Sequence, residues 1–174
     1  TPVRAVLLKG RKNYLCRTRL NWLISDSKTL DELDIEALIP ILFWLYWTKT
    51  GDIYECSGFL NTRRNWLKTM ISSDTGFCTS EVCKKNKGCY YGQLKKSSFQ
   101  SQIIVANHSL LMTNVSQEGL LPLFNSVIID EAHNLVRAAY EQFKIEWSEQ
   151  SVSYQLQSID PSHPRSNRWN NVLQ

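Results

Sequence analysis

The sequence predicts an α/β fold in which short parallel strands alternate with helices. Residues 3–8 read as a short strand, and residues 103–106 and 127–129 are short apolar runs rich in Val and Ile, each bounded by polar segments. Parallel strands buried on both faces have this pattern. Polar groups gather just after two of the runs, Asn107 and His108 after one and Asp130 and Glu131 after the other. Functional groups of open α/β sheets sit at such carboxyl ends.

In chain order, residues 3–8 (Val-Arg-Ala-Val-Leu-Leu) give the first strand and residues 9–13 a polar turn around Gly10. Residues 14–24 predict a helix with Leu15, Leu20, Trp22 and Leu23 apolar. Thr29-Leu-Asp-Glu32 has capping-box spacing, with acidic residues in the first turn. The helix it opens is expected over residues 31–47, kinked or split at Pro40. Leu38, Leu42, Leu45 and Tyr46 share one face, and residues 39–47 are apolar enough for burial on most sides. Thr50-Gly-Asp52 is a turn. Residues 61–71 predict a basic amphipathic helix, 72–88 a loop, 93–102 a short helix and 134–159 further helix before a loop at 160–167.

Three of the five cysteines, Cys78, Cys83 and Cys89, fall within twelve residues. Cys16 ends the basic stretch Lys9-Gly-Arg-Lys-Asn-Tyr-Leu-Cys16. Four thiolates from two segments can surround one compact centre, either zinc or an iron–sulfur cluster. The trio lacks the Cys-x2-Cys knuckles usual for structural zinc.

The net charge of +4 is unevenly distributed. Residues 1–24 hold six basic and no acidic side chains, and residues 56–100 hold eight basic and two acidic. These two blocks carry the candidate thiolates, so the backbone of a nucleic acid is the expected partner. No segment approaches the roughly 20 apolar residues of a membrane span. No signal-peptide pattern opens the sequence. The odd cysteine count argues for a reduced compartment, and a cytoplasmic location is expected.

Val-Ile-Ile-Asp130-Glu131-Ala132-His133 is the most specific string. Asp130 at a strand end can hold Mg²⁺ on the phosphates of a nucleotide, and Glu131 can polarise the attacking water. His133 taken alone also suits a locally bonded helix start. The string resembles the Walker B, or DEAH, box of helicases.

The cysteine pattern, Thr50-Gly-Asp52, Asn107-His108-Ser-Leu-Leu and the DEAH string follow in order across residues 3–137. In this the chain resembles the iron–sulfur superfamily 2 DNA helicases of the XPD/DinG type, nearest the bacterial DinG branch. The resemblance implies that Cys16, Cys78, Cys83 and Cys89 bind one [4Fe–4S] cluster, while Cys56 has no counterpart and is a free thiol. It implies part of an ATP-dependent 5′-to-3′ DNA helicase of repair or replication. Residues 1–20 and 102–137 would belong to an incomplete RecA-like parallel sheet. Residues 21–101 would form an inserted, mostly helical iron–sulfur cluster domain, with Cys16 contributed from the preceding segment, and residues 138–174 would begin an arch-like helical insertion. Mg²⁺ and ATP are expected in the complete protein. No Gly-x4-Gly-Lys-Ser/Thr loop occurs in these residues, so ATP hydrolysis by the piece alone is not expected.

Arg63, Arg64, Lys68, Lys84, Lys85, Lys87, Lys95 and Lys96 are candidate phosphate contacts on single-stranded or forked DNA, bound by a monomer. Tyr90 and Tyr91 could stack on bases or pack against the cluster. The rival expectation is a cluster- or zinc-bearing DNA-binding module without a motor. A nuclease relative is a third, and no paired-carboxylate signature supports it.

Overall fold

The computed structural model describes residues 2–26, 30–78, 88–117, 119–145 and 148–149. The fold is α/β. Strand β1 (Ala5–Leu7) pairs in parallel with β2 (Ile103–Val105), with Val6 opposite Ile104. Six helices are described besides a last one: α1 (Arg17–Ser25), α2 (Glu32–Trp44), α3 (Ser57–Leu60), α4 (Asn65–Ile71), α5 (Tyr90–Ser98) and α6 (His108–Ser116). The last, α7 (Leu135–Phe143), crosses the boundary between two compact units, which falls after Ala139.

Residues 14–24 do not form one helix. Tyr14 and Leu15 bridge to Asp52 and Ser72 in extended conformation, and α1 starts only at Arg17. Two residues expected in that helix instead tie the chain to later segments through their backbone groups. The box that opens α2 also differs from the expectation. Asp31 accepts from the Asp34 N–H at 2.7 Å, and the Asp34 carboxylate accepts from the Asp31 N–H at 3.2 Å. Thr29 lies outside the described residues.

Helix α2 runs through Pro40 unbroken. Gly58 of α3 comes so close that a Cβ there would lie 3.0 Å from the Pro40 Cβ. The helix is not buried on most sides. Asp34, Ala37, Leu38 and Ile41 form its buried stripe, at the spacing of one helical face. Leu42, Phe43, Tyr46 and Trp47 are exposed. Only one side of α2 meets described neighbours, so apolarity on the other side finds no partner there. The expected helix at 61–71 is two helices, because Arg63 adopts a left-handed φ of 56°. Helix α5 begins three residues earlier than expected, capped by Cys89.

The main core gathers Leu20 and Leu23 of α1, Leu38 and Ile41 of α2, Phe59 of α3, and Leu67 and Ile71 of α4, with Leu15, Ile53 and Cys56. Truncating fully buried Ile41 or Leu67 to Ala should cost about 2–5 kcal/mol. A smaller cluster of Leu8, Tyr14, Tyr91, Leu110 and Leu121 lies on the strand side.

Two expectations about strands are corrected. Leu7, Ile103 and Val105 are exposed, so the strands are not buried on both faces. Residues 127–130 form no strand, and Ile128 is almost wholly exposed. An apolar run becomes a strand only when another backbone pairs with it, and among the described residues none pairs with this one. No helix among the described residues is long and apolar enough to cross a membrane.

Candidate functional site

Cys16 occupies the N-cap of α1, in extended conformation. Its N–H donates to Ile71 O at 2.8 Å, and its carbonyl accepts from Leu20 at 3.0 Å. The bridge between Leu15 and Ser72 thus holds this residue against the segment that leads to Cys78. Cys78 closes a turn by donating its N–H to Asp74 O at 2.8 Å. The two thiols are hydrogen-bonded to each other, and this bond, aided by burial, pushes the Cys16 thiol well above its usual range. The amides of Arg19 and Thr18 at the start of α1 oppose that shift.

Cys89 caps α5, its sulfur accepting from Gly92 N–H at 3.3 Å. Arg17 ties the two cysteine-bearing helix starts together. Its Nη2 donates to Tyr90 Oη at 2.5 Å, and its guanidinium stands 4.8 Å from the Tyr90 ring centroid. Gly88 has φ 96°, and a Cβ there would lie 3.3 Å from Arg17 Nη1. Cys83 lies outside the described residues. Among those described, no group of three or more His, Cys, Asp or Glu side chains is disposed to hold a metal ion. The fold therefore joins Cys16 to Cys78 and sets Cys89 on a helix start linked to α1. Cys16 and Cys78 would supply two adjacent sulfur donors, and because their contact and burial oppose ionisation, a bound metal would have to displace their protons. Cys56 sits in the main core as a free thiol that burial pushes upward.

Asp130 and Glu131 are both exposed. His108 Nε2 donates to Asp130 O across 3.0 Å. Asp130 Oδ1 accepts from Glu131 N–H at 2.9 Å, and Glu131 Oε2 lies 3.4 Å from His133 Nδ1. Glu131 has φ 48°, left-handed for a residue with a Cβ, which is a strain of order 1–3 kcal/mol. Asn107 caps α6 by accepting from Leu110 N–H at 2.9 Å and so presents His108 to Asp130. The arrangement places two adjacent carboxylates in the open, where they are free to meet a cation.

The basic candidates fall into different settings. Arg64 is bound to Asp31 at 3.2 Å and to Asp34 at 2.9 Å, fastening α4 to the start of α2. Lys68 donates to Tyr54 Oη at 2.5 Å over that ring. Arg63 and Lys96 are exposed and Lys95 half-buried. Lys84, Lys85 and Lys87 lie outside the described residues. Tyr90 and Tyr91 are buried, so neither offers a face to a base. Tyr91 packs on Tyr14 with Arg11 over its ring, and Tyr90 fills the space beside Gly51.

Sequence reasoning passed over Arg17, Arg19 and the Lys9–Asp52 ion pair. The available signal was position, since both arginines lie within three residues of Cys16.

The DEAD_2 family model matches residues 52–152. The chain is 30% identical over 145 residues to the ATP-dependent DNA helicase YoaA of Haemophilus influenzae, covering 80% of this chain and 22% of that protein. It is 30% identical over 142 residues to YoaA of Escherichia coli, covering 79% and 22%. It is likewise 30% identical over 142 residues to the 3′-5′ exonuclease DinG of Bacillus subtilis, covering 80% and 15%. The chain thus spans less than a quarter of the length of these relatives.

Proposed function

Because the chain belongs to the DEAD_2 family, we propose that it is the cysteine-bearing part of a DinG-type, ATP-dependent DNA helicase. The observation that carries this reading is the thiol contact between Cys16 and Cys78, made by segments far apart in sequence. The helicase activity is inferred from the YoaA relatives, which are ATP-dependent DNA helicases. Cys16, Cys78, Cys83 and Cys89 would hold a [4Fe–4S] cluster, which when bound cross-links the segments that carry them. Residues 1–20 and 102–137 would be part of a RecA-like domain, residues 21–101 the cluster domain and residues 138–174 the start of an arch. The protein would act as a cytoplasmic monomer on single-stranded or forked DNA with 5′-to-3′ polarity.

Asp130 would face the Mg²⁺ of bound nucleotide and Glu131 the attacking water. His108 would hold the Asp130 backbone in place. The test uses the whole protein. Glu131→Gln should bind Mg·ATP and hydrolyse it at least about 100-fold more slowly, because an amide cannot serve as the general base. Asp130→Asn should weaken Mg·ATP binding itself, because it removes charge beside the cation. Wild-type turnover in Glu131→Gln would remove the catalytic role. A whole protein without DNA-stimulated ATP hydrolysis would instead favour a DNA-binding module without a motor.

A further inference from the structure

A positive charge is buried between the start of α1, which follows Cys16, and the segment that leads to Cys78. Arg19 lies in the first turn of α1, three residues after Cys16, and is only 5% exposed. Its Nη1 donates to Ser72 O at 2.6 Å, the carbonyl next to the one that accepts from the Cys16 N–H. Its guanidinium stands over the ring of Phe77, 5.9 Å from the centroid, and Phe77 directly precedes Cys78. Trp22, one turn along α1, meets the same ring edge-on at 4.5 Å. Arg19 is therefore held on both sides, by the carbonyl that follows Ile71 and by the ring that leads into Cys78.

Burial works against the charge of Arg19, while Asp74, Cys16 and Cys78 work for it. A guanidinium stays protonated in protein interiors, and a buried charge is costly unless opposite charge lies nearby. Asp74 supplies one such charge. Thiols in their neutral form supply none, whereas thiolates bound to iron do.

We propose that Arg19 is a positioning residue of the cysteine site, an internal counter-ion that stabilises the negative charge of a cluster held by Cys16 and Cys78 and makes that cluster easier to reduce. This inference rests on the cluster assignment made above. Net charge, hydrogen bonding and exposure set the reduction potential of such clusters. Reduction adds one electron and no bond changes, so a fixed cation in a poorly screened interior favours the reduced form.

The test takes the whole protein, reconstituted anaerobically with iron and sulfide and titrated with dithionite, with the reduced cluster read by electron paramagnetic resonance. Arg19→Met, which removes the charge and keeps the length, should lower the reduction equilibrium about tenfold or more, about 59 mV for a one-electron couple. Arg19→Lys, which keeps the charge, should shift it about threefold or less. If Arg19→Met takes up no iron while Arg19→Lys loads like wild type, the counter-ion role stands. Equal loss of iron from both overturns it, because packing rather than charge would then be what matters. An unchanged potential in iron-loaded Arg19→Met also overturns it and leaves the cluster assignment intact. Wild-type protein that takes up zinc and no iron overturns the assignment and this inference together.

Discussion

A Cβ on Gly51 would stand 2.1 Å from Cγ of Tyr90. Gly51 also has φ 67°, so two separate constraints fall on one residue. Its carbonyl accepts from Leu15 N–H at 2.8 Å, which ties the turn to the segment before Cys16. Gly51→Ala should combine a left-handed backbone cost of about 1–2 kcal/mol with overpacking of about 1–3 kcal/mol. Urea denaturation measures the sum. A loss below about 1 kcal/mol would mean that Tyr90 moves aside freely.

Asp52, in the same turn, is an ion-pair partner of Lys9 and also accepts from Tyr54 N–H at 3.1 Å. Its bond to Lys9 raises the Lys9 pKa above 10.5. A raised cationic group gives stability that is fully present below the unfolded value and is lost as pH rises through the folded one. This pair should therefore leave wild-type stability flat between about pH 7 and 9. Asp52→Asn should lose about 1–3 kcal/mol at pH 7, toward the low end because the lysine side is partly exposed. The gap between the two proteins should narrow only above the Lys9 range. A gap that closes near neutral pH would point to another titrating group.

Anaerobically reconstituted protein should be brown and hold about four irons per chain. Cys16→Ser, Cys78→Ser, Cys83→Ser and Cys89→Ser should each abolish iron binding. Cys56→Ser should keep the iron and lose about 1–3 kcal/mol of stability, because a hydroxyl replaces a thiol in the main core. Iron analysis and thermal unfolding separate the two classes. Full iron in Cys83→Ser would remove the one proposed ligand outside the described residues.

Binding to single-stranded DNA should weaken steeply with salt, since each neutralised phosphate releases a counterion. Changing Lys84, Lys85 and Lys87 together to Glu should weaken it alike on all sequences and flatten the salt slope. Arg64 serves poorly as a probe, because Arg64→Glu would set a third negative charge beside Asp31 and Asp34 and unfasten α4 from α2. Fluorescence anisotropy across a salt series gives the slope. A slope unchanged in the triple variant would make these lysines a solvated face.

The sequence by itself determined which residue types could do chemistry and roughly where helices begin. Cysteine spacing, the Asp130-Glu131 pair after an apolar run, and the pairing-competent runs at both strands were legible because each is a local pattern. Helix α2 was legible for the same reason, since capping carboxylates and apolar spacing act within a few residues. Tertiary structure decided which apolar residues are covered. Leu38 is buried while Tyr46 is exposed, and Tyr90 and Tyr91 are core residues rather than stacking platforms. It also decided that Arg19 lies buried between the start of α1 and the segment that leads to Cys78, and that Ile128 meets no strand among the described residues. Periodicity describes what one segment offers, whereas burial and pairing depend on which distant segment arrives. The partners of Cys16 are some 60 residues away in the chain, and no local signal states that they meet.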